Sequence, residues 1–368
     1  MEWVRFDDLI EAKHGGSMRP QLFEDGIRPT DVSQGGIGDC WLMSAFAAIA
    51  EFPEVVQSIY ITKRYNAYGK YKLRLFDPNE QDWYEEVVDN YIPCRDGKTP
   101  IYAGASDEMW VVLLEKAVAK YCGSYANLNG GRTEWALHFL TGYPVFIIHS
   151  DGKGGKWRRS NMHVVGGKEG KARRSSSWQQ TDETFSVEDV FYILREYDEK
   201  NAIMCCESPG GDDTDISDNG IVQGHAYTLL GATKVDDFLL VHVRNPWGRG
   251  EWKGDWSDES SLWERHPSVN KELKFEASND GAFWMTIQDF CANFDALTVC
   301  PRETGFTDLA LDPHEHLGCC GVCVGCFCGC ASYWCCCKGC KALCCGEEAD
   351  DATVKGKRDG CCPCCPRV

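Results

Sequence analysis

The sequence begins without an apolar run. Residues 1–11 are polar and charged and lack the apolar centre that a secretory signal needs. Basic residues are also scarce: 38 Lys and Arg stand against 56 Asp and Glu, a net charge of −18, which argues against general binding to nucleic acid. These two absences predict a cytoplasmic protein that does not bind nucleic acid.

Cysteines are few in most of the chain. Of the 23 cysteines, seven lie before residue 301 and sixteen lie between residues 319 and 365. A secreted disulfide framework would spread its cysteines through the fold. We therefore expect the first 300 residues to be reduced and globular. With 368 residues, the chain is long enough for two domains and an appendage.

One stretch, residues 31–52 (DVSQGGIGDCWLMSAFAAIAEF), joins a glycine-rich turn to a helical pattern. Asp39 is a plausible N-cap, so Cys40 would begin the helix, where the positive end of the helix dipole lowers the pKa of a thiol. This position favours a nucleophile, whereas the alternative is a cysteine that only fills space in a buried helix. The apolar spacing predicts one buried face, formed by Leu42, Ala45, Phe46, Ile49 and Ala50.

A base and an orienting group for this thiol occur much later in the chain. His225 precedes an apolar strand pattern, and Asn245 follows a second strand predicted over residues 238–243. Pro246 would end that strand, because proline has no N–H for the ladder. Neighbouring antiparallel strands could place His225 and Asn245 within hydrogen-bond reach. Cysteine, histidine and asparagine in these contexts indicate nucleophilic catalysis by the thiol.

The sequence resembles the calpains, a family of papain-like cysteine proteases, over about residues 20–300. The matching motifs are QGxxGDCWL at 34–42, GHAY at 224–227, RNPWG at 244–248, EWxGxWSD at 251–258 and DGxFWM at 280–285, with LLEKAxAK at 113–120. The resemblance implies an α+β, papain-like fold of two subdomains. The helical subdomain would span residues 1–142 and the β-rich one residues 143–305. Residues 306–368 resemble no usual calpain partner domain and form a cysteine-rich, non-globular tail.

The family pattern implies a role for each active-site residue. Cys40 attacks a peptide carbonyl, His225 pairs with the thiolate and protonates the leaving amine, and Asn245 orients the imidazole. The oxyanion hole would consist of the backbone N–H of Cys40 and the side-chain amide of Gln34, and one such donor lowers the barrier by roughly 3 kcal/mol. Trp247 would cover the hydrogen bond between His225 and Asn245 and exclude water from it.

The resemblance also implies calcium, at one regulatory site in each subdomain, with oxygen ligands that suit a hard cation. No organic cofactor is expected. The first site would use the side chains of Asp31 and Glu115 and the carbonyls of Glu24 and Gly26. The second would use the side chains of Glu251, Asp258 and Asp280 and the carbonyl of Ser278. The alternative is that these are surface carboxylates of an acidic protein.

The sequence departs from the calpain pattern at Ala282, where the family usually places a glutamate. This change removes a ligand from the second calcium site. It also removes the partner that Arg28 would be expected to meet across the cleft between the subdomains. We therefore expect the second site to be weakened and calcium activation to be poorly cooperative.

Periodicity and composition predict the remaining segments. Helices are expected over residues 107–121, 133–139 and 186–199, the last capped by Ser186, and strands over residues 56–62, 71–76, 85–92, 145–149 and 202–207. Residues 151–180 contain eight Lys or Arg against two acidic residues and predict a mobile basic loop. That loop is either a solvated charge run or a docking surface for acidic lipid or substrate.

The tail allows three interpretations. Residues 317–337 carry no charge over 21 positions, enough to cross a bilayer, but glycines weaken any helix there. The tail is either an S-acylated anchor on the cytoplasmic face of a membrane, a soft-metal site such as zinc, or a disordered redox-sensitive segment. The last four residues match C-a-a-X only formally, because Pro366 and Arg367 are poor aliphatic positions. The acylation hypothesis assigns lipid to Cys319, Cys320, Cys323, Cys326, Cys361, Cys362, Cys364 and Cys365.

Together these features predict an intracellular endopeptidase that performs limited, calcium-regulated proteolysis of protein substrates. The alternative is a catalytically idle, calpain-like scaffold that is tethered to a membrane and binds protein partners through its cleft. The intact set of Cys40, His225 and Asn245 favours the enzyme. No sequence feature identifies a regulatory subunit.

Overall fold

A computed structural model of the protein describes residues 1–23, 26–78, 80–104, 107–150, 152, 156–164, 176–211 and 214–302. These residues combine helices with antiparallel strands, which confirms the predicted α+β class. The subdomain boundaries at 1–142 and 143–305 stay a prediction. The cysteine-rich tail predicted at 306–368 lies outside the described residues.

The first half of the fold consists of helices and short strands. Its strands are β1 (Glu2–Arg5), β2 (Lys70–Asp77), β3 (Asp82–Asp89), β4 (Tyr91–Arg95) and β5 (Thr99–Pro100). Its helices are α1 (Phe6–His14), α2 (Cys40–Ala50), α3 (Pro53–Ile59), α4 (Trp110–Tyr121) and α5 (Thr133–Thr141). Strands β1, β4 and β5 form a small sheet, and β2 pairs with β3.

Helix α2 lies at the centre of the first hydrophobic core. All of its residues after Cys40 are buried, whereas Cys40 itself is partly exposed. A helix that is apolar on all sides is typical of a protein core. The sequence predicts only one buried face, whereas every side of this helix is buried. Among the described residues, no single helix is long and apolar enough to cross a bilayer, although α2 and α3 satisfy length and composition as a pair bent by 117°.

The second half is built on one antiparallel sheet. Its strands are β6 (Phe146–Ser150), β7 (Trp157–Val164), β8 (Ser176–Phe185), β9 (Ile203–Glu207), β10 (Ala226–Val235), β11 (Phe238–Arg244), β12 (Ala282–Thr286) and β13 (Ala296–Cys300). Their order in the sheet is β12-β11-β10-β9-β13-β6-β7-β8. The helices are α6 (Val187–Glu199), α7 (Leu262–Arg265), α8 (Pro267–Leu273) and α9 (Ile287–Asn293).

The sheet separates two hydrophobic cores. On β10, Ala226 packs into the core around α2, whereas Tyr227 and Leu229 pack into a second core with α6 and α9. This alternation follows from the two-residue period of a strand. The hydroxyl of Thr228 donates to the carbonyl of Ser44 in α2 at 2.9 Å, so the helix that begins with Cys40 is fixed against the strand that follows His225.

Three local predictions are wrong. The strand predicted over residues 56–62 is helix α3 for most of its length, because Pro53 occupies the first helical turn and favours that start. The strand predicted over residues 85–92 divides at Asn90 into β3 and β4. The basic segment at 151–180 is not a loop throughout, since strands β7 and β8 cover part of it. Residues 165–175 of that segment lie outside the described residues.

Candidate active site

Strands β10 and β11 bring a histidine and an asparagine together. His225 directly precedes β10 and Asn245 directly follows β11, and Thr228 pairs with Arg244 in the antiparallel register. The distance from Nε2 of His225 to Oδ1 of Asn245 is 3.0 Å. Oδ1 also accepts the backbone N–H of Trp247 at 3.1 Å, while Nδ2 donates to the carbonyl of Gly250 at 3.0 Å. Because Oδ1 is thereby an acceptor, Nε2 of His225 must carry the proton.

His225 is almost completely shielded from solvent. Its side chain is 1% exposed, and the ring centroids of Trp247 and Tyr227 lie 4.9 Å and 5.0 Å from its own. Burial lowers the pKa of His225 to about 4, although the hydrogen bond with Asn245 opposes this shift. Nδ1 is buried and has no hydrogen-bond partner in the described structure. The ring is therefore neutral at rest, with a lone pair on Nδ1 that can accept a proton.

Cys40 is the first residue of α2, where the helix dipole favours a thiolate. Asp39 occupies the N-cap position, but its side chain makes no capping hydrogen bond, so the expected cap is absent. No disulfide joins the seven cysteines of the described residues. Burial raises the pKa of five other thiols, which makes them poor nucleophiles: Cys94, Cys205, Cys206, Cys291 and Cys300.

Two hydrogen bonds hold Gln34 in place, one to the segment that contains Asn245 and one to its own segment. Its backbone N–H donates to the carbonyl of Pro246 at 2.9 Å, and Nε2 donates to the carbonyl of Ile37 at 2.8 Å. An amide nitrogen carries two hydrogens, so the second one stays available for an oxyanion. Gly35 fixes the turn between Gln34 and Cys40, because a Cβ there would stand 1.3 Å from the carbonyl oxygen of Tyr102. No other residue fits this position.

A pair of buried carboxyl groups lies next to the candidate nucleophile. Asp39 and Glu115 are 1% and 2% exposed. Burial raises the pKa of Asp39 to about 7, and burial together with Asp39 raises the pKa of Glu115 well above its usual range. Oε1 of Glu115 accepts the N–H of Ala103 at 3.0 Å. Sequence reasoning missed this pair; its only signal was that Glu115 falls near the apolar face of a predicted helix.

The two carboxyl groups predicted for the first calcium site have other partners in the described structure. Asp31 is half-buried, and its Oδ2 accepts the N–H of Arg28 at 2.8 Å, whereas the Glu115 carboxyl interacts with Asp39. Gly26 has a positive φ of 110°, and Glu24 lies outside the described residues. Across the part of the chain that is described, no three His, Cys, Asp or Glu side chains converge as ligands of one metal ion would.

The residues predicted for the second site fit calcium better in their chemistry. Burial raises the pKa of Glu251 and Asp258, and the charge of Asp280 raises both further, so the three carboxylates lie in each other's field. Each accepts a backbone N–H: Glu251 from Gly281 at 2.8 Å, Asp258 from Ser278 at 2.8 Å and Asp280 from Ala282 at 2.9 Å. Partly desolvated carboxylates suit a hard cation by their chemistry, although in the described structure these three do not converge on one point either.

Comparison with known proteins agrees with this geometry. An α+β fold with a cysteine at a helix start and a buried histidine–asparagine hydrogen bond has features of a papain-like cysteine protease. The model of the calpain family cysteine protease matches residues 1–301. The chain therefore belongs to the calpain family and carries a calpain-family cysteine peptidase domain.

Individual relatives are similar over the same region. The calpain-type cysteine protease DEK1 of Arabidopsis thaliana is 36% identical over 313 residues, which cover 83% of this chain and 13% of that protein. Human calpain-14 is 31% identical, with 83% of this chain and 40% of that protein covered. The mouse calpain-1 catalytic subunit is 30% identical, with 82% and 38% covered. The chain thus spans well under half the length of these relatives.

Proposed function

We propose that the protein is an endopeptidase that cleaves protein substrates through Cys40, His225 and Asn245. The observation that carries this proposal is the buried hydrogen bond between His225 and Asn245, which leaves Nδ1 of His225 without a partner in the described structure. A histidine held in one tautomer, with an unpartnered lone pair on Nδ1, is equipped to act as the base for the thiol of Cys40.

The proton balance of the reaction follows from this geometry. Cys40 transfers its proton to Nδ1 of His225 as the sulfur attacks the peptide carbonyl, and the resulting imidazolium is stabilised by Oδ1 of Asn245. The oxyanion accepts hydrogen bonds from the N–H of Cys40 and from the remaining N–H of Gln34 Nε2. His225 then protonates the leaving amine. Finally, His225 takes a proton from water, the resulting hydroxide cleaves the thioester, and the thiol of Cys40 re-forms.

Calcium regulation is part of the proposal. Calcium would be held by Glu251, Asp258 and Asp280 with the carbonyl of Ser278, and at the first site by Asp31, Glu115 and the carbonyls of Glu24 and Gly26. Bound calcium supplies positive charge that offsets the repulsion among these carboxylates. The support is that the negative charge of Asp280 contributes to the raised pKa of both Glu251 and Asp258. Ala282 offers no side-chain oxygen, so this site is expected to bind weakly.

We also propose that the enzyme is cytoplasmic and is attached to the cytoplasmic face of a membrane by acylated cysteines of the tail. The support is the concentration of sixteen cysteines between residues 319 and 365. Two or more acyl chains give stable attachment, because each buried CH₂ contributes roughly 0.8 kcal/mol. This part of the proposal concerns residues outside the described structure.

A peptide-hydrolysis assay tests the enzymatic proposal. Full-length wild type, Cys40→Ser, His225→Ala and the control Cys122→Ser are compared with calcium and with a chelator. Wild type and C122S should hydrolyse peptide in calcium, whereas C40S and H225A should be inactive although circular dichroism shows them folded. Activity that persists in C40S would refute the mechanism. Inactive wild type at every calcium concentration would favour the idle scaffold.

A further inference from the structure

Arg244 is an arginine buried beside the active site. Its side chain is 2% exposed, and Nη2 donates to the backbone carbonyl of Val32 at 3.0 Å. Nε and Nη1 are also buried and have no hydrogen-bond partner within the described ranges. Burying a guanidinium is costly because the group is always charged, and hydrogen bonds or nearby carboxylates must offset that cost. The segments that Arg244 joins indicate its role.

Arg244 joins the two segments that carry the catalytic groups. Val32 lies two residues before Gln34 on the segment that leads to Cys40, and Arg244 lies one residue before Asn245. A second hydrogen bond runs beside the first, from the N–H of Gln34 to the carbonyl of Pro246 at 2.9 Å. The segment before the thiol is therefore tied at residues 32 and 34 to the segment that holds the asparagine.

The charge of Arg244 reinforces this junction. Burial lowers the pKa of Arg244, and the negative charges of Asp280, Asp31 and Glu51 oppose that shift. Asp31 directly precedes Val32. Asp280 directly precedes Gly281, whose carbonyl accepts the N–H of Asn245 at 2.8 Å. The cation therefore lies in the field of carboxylates from both sides of the junction, which are attracted toward it.

We propose that Arg244 is a positioning residue that holds the Gln34–Cys40 segment against the Asn245 segment, so that thiol, imidazole and amide meet in the reactive geometry. The predicted effect on hydrolysis rests on the proposed function; the effect on the thiol itself does not. Arg244 contacts no substrate in this scheme. Its loss should therefore lower kcat and leave KM almost unchanged.

Two substitutions at Arg244 and one matched control separate positioning from general stability. Arg244→Met keeps an unbranched apolar stem but removes every donor and the charge, whereas Arg244→Lys keeps the charge on a single donor nitrogen. Arg159→Met is the control. Arg159 is also buried, at 7% exposure, but it lies on β7, with its guanidinium 3.5 Å from the ring of Phe146. The R159M substitution therefore removes a buried guanidinium at a site remote from Asn245.

The experiment measures kcat and KM for peptide hydrolysis in the full-length chain. It also measures the rate at which iodoacetamide alkylates Cys40, followed by mass spectrometry of the peptide that contains it. Because misplacement by about 1 Å costs on the order of 10²-fold in rate, R244M should lose about 30- to 100-fold in kcat. R244K should recover part of this loss, and R159M should match wild type. Alkylation of Cys40 should be slower in R244M than in R159M.

Every other outcome either supports or overturns the positioning role of Arg244. Wild-type kcat and alkylation in folded R244M would overturn the proposal, as would a loss confined to KM. If R244M does not fold, R244K decides: reduced kcat at unchanged KM supports positioning, and wild-type kcat overturns it. If neither variant folds while R159M does, Arg244 is a core residue and the proposal is wrong. If wild type hydrolyses no peptide, the proposed function fails, and the alkylation rates alone decide the role of Arg244.

Discussion

Replacing Asn245 by alanine should separate the orientation of His225 from its chemistry. Asn245 is 0% exposed, and its side chain makes three hydrogen bonds, to Nε2 of His225, the N–H of Trp247 and the carbonyl of Gly250. Alanine leaves all three groups without a partner, and each costs about 1–3 kcal/mol when buried. A water molecule in the vacated space would satisfy some of them. We therefore expect N245A to lose about 3 kcal/mol in the free energy of unfolding.

The loss of activity should exceed what the loss of stability alone would cause, because the folded variant should itself be less active. Without Oδ1, the imidazole can rotate, and the proton can move to Nδ1, where a base is needed. A displacement of about 1 Å costs on the order of 10²-fold, which corresponds to about 2.7 kcal/mol of barrier. Folded N245A should therefore show about 1% of the wild-type kcat.

Asn245→Asp is the matched variant. A carboxylate still accepts from His225 and from the N–H of Trp247, but it faces the carbonyl of Gly250 without a donor. Its negative charge favours the imidazolium, so the pKa of His225 should rise from the value of about 4 that burial imposes. The acid limb of the pH profile of kcat/KM should then move to higher pH in N245D.

The assay compares kcat, KM and urea denaturation for wild type, N245A and N245D. Denaturation is followed by tryptophan fluorescence, and kcat is corrected for the folded fraction. If folded N245A keeps wild-type kcat, Asn245 does not orient the base. An unchanged acid limb in N245D would show that the ionisation of His225 does not control the rate.

Three further outcomes are expected. Burial and the nearby charge of Glu207 raise the pKa of Glu134 from 4.5 to about 7. Between these pH values the folded state keeps a proton that the unfolded state releases. The free energy of unfolding should therefore fall as the pH rises from 4.5 to 7. Glu134→Gln should flatten this fall by up to ~3 kcal/mol in urea titrations at pH 5 and 8, and an unchanged slope would contradict it. Ala282→Glu should lower the calcium concentration for half-activation. If this variant has no effect, residue 282 does not weaken the second calcium site, and if a chelator leaves wild-type activity unchanged, calcium does not regulate the enzyme. A fluorescent protein fused to residues 317–368 should be released from membranes by neutral hydroxylamine, which cleaves thioesters, whereas a soluble fusion that binds stoichiometric zinc would support the metal interpretation.

Elements with strong local signals were predictable from the sequence. Ser186 caps α6 as expected, because its side chain accepts the N–H of Asp189 in a local capping box. Strand β11 and the start of α2 at Cys40 also match the sequence pattern. In each case neighbouring residues decide the structure, so periodicity and turn chemistry suffice.

Features that depend on packing between distant segments were not predictable. Asp39 has the residue type and position of a helix cap, yet its carboxyl group is buried against Glu115 from α4. Helix α3 contains two valines that favour a strand, but Pro53 and packing against the core select a helix. The burial of Arg244 against Val32 likewise joins residues 212 positions apart. Only the tertiary structure brings such pairs together.

The most direct test of the central claim is to trap the nucleophile. Full-length protein in calcium is treated with a peptidyl chloromethyl ketone, which alkylates the activated thiol of a cysteine protease, and the modified residue is located by mass spectrometry. Among the cysteines of residues 1–302, one rapidly labelled site is expected, at Cys40, and its labelling should be lost in His225→Ala and retained in Cys122→Ser. Equal labelling of Cys40 in wild type and H225A, or rapid labelling of another cysteine of residues 1–302 instead, would contradict it.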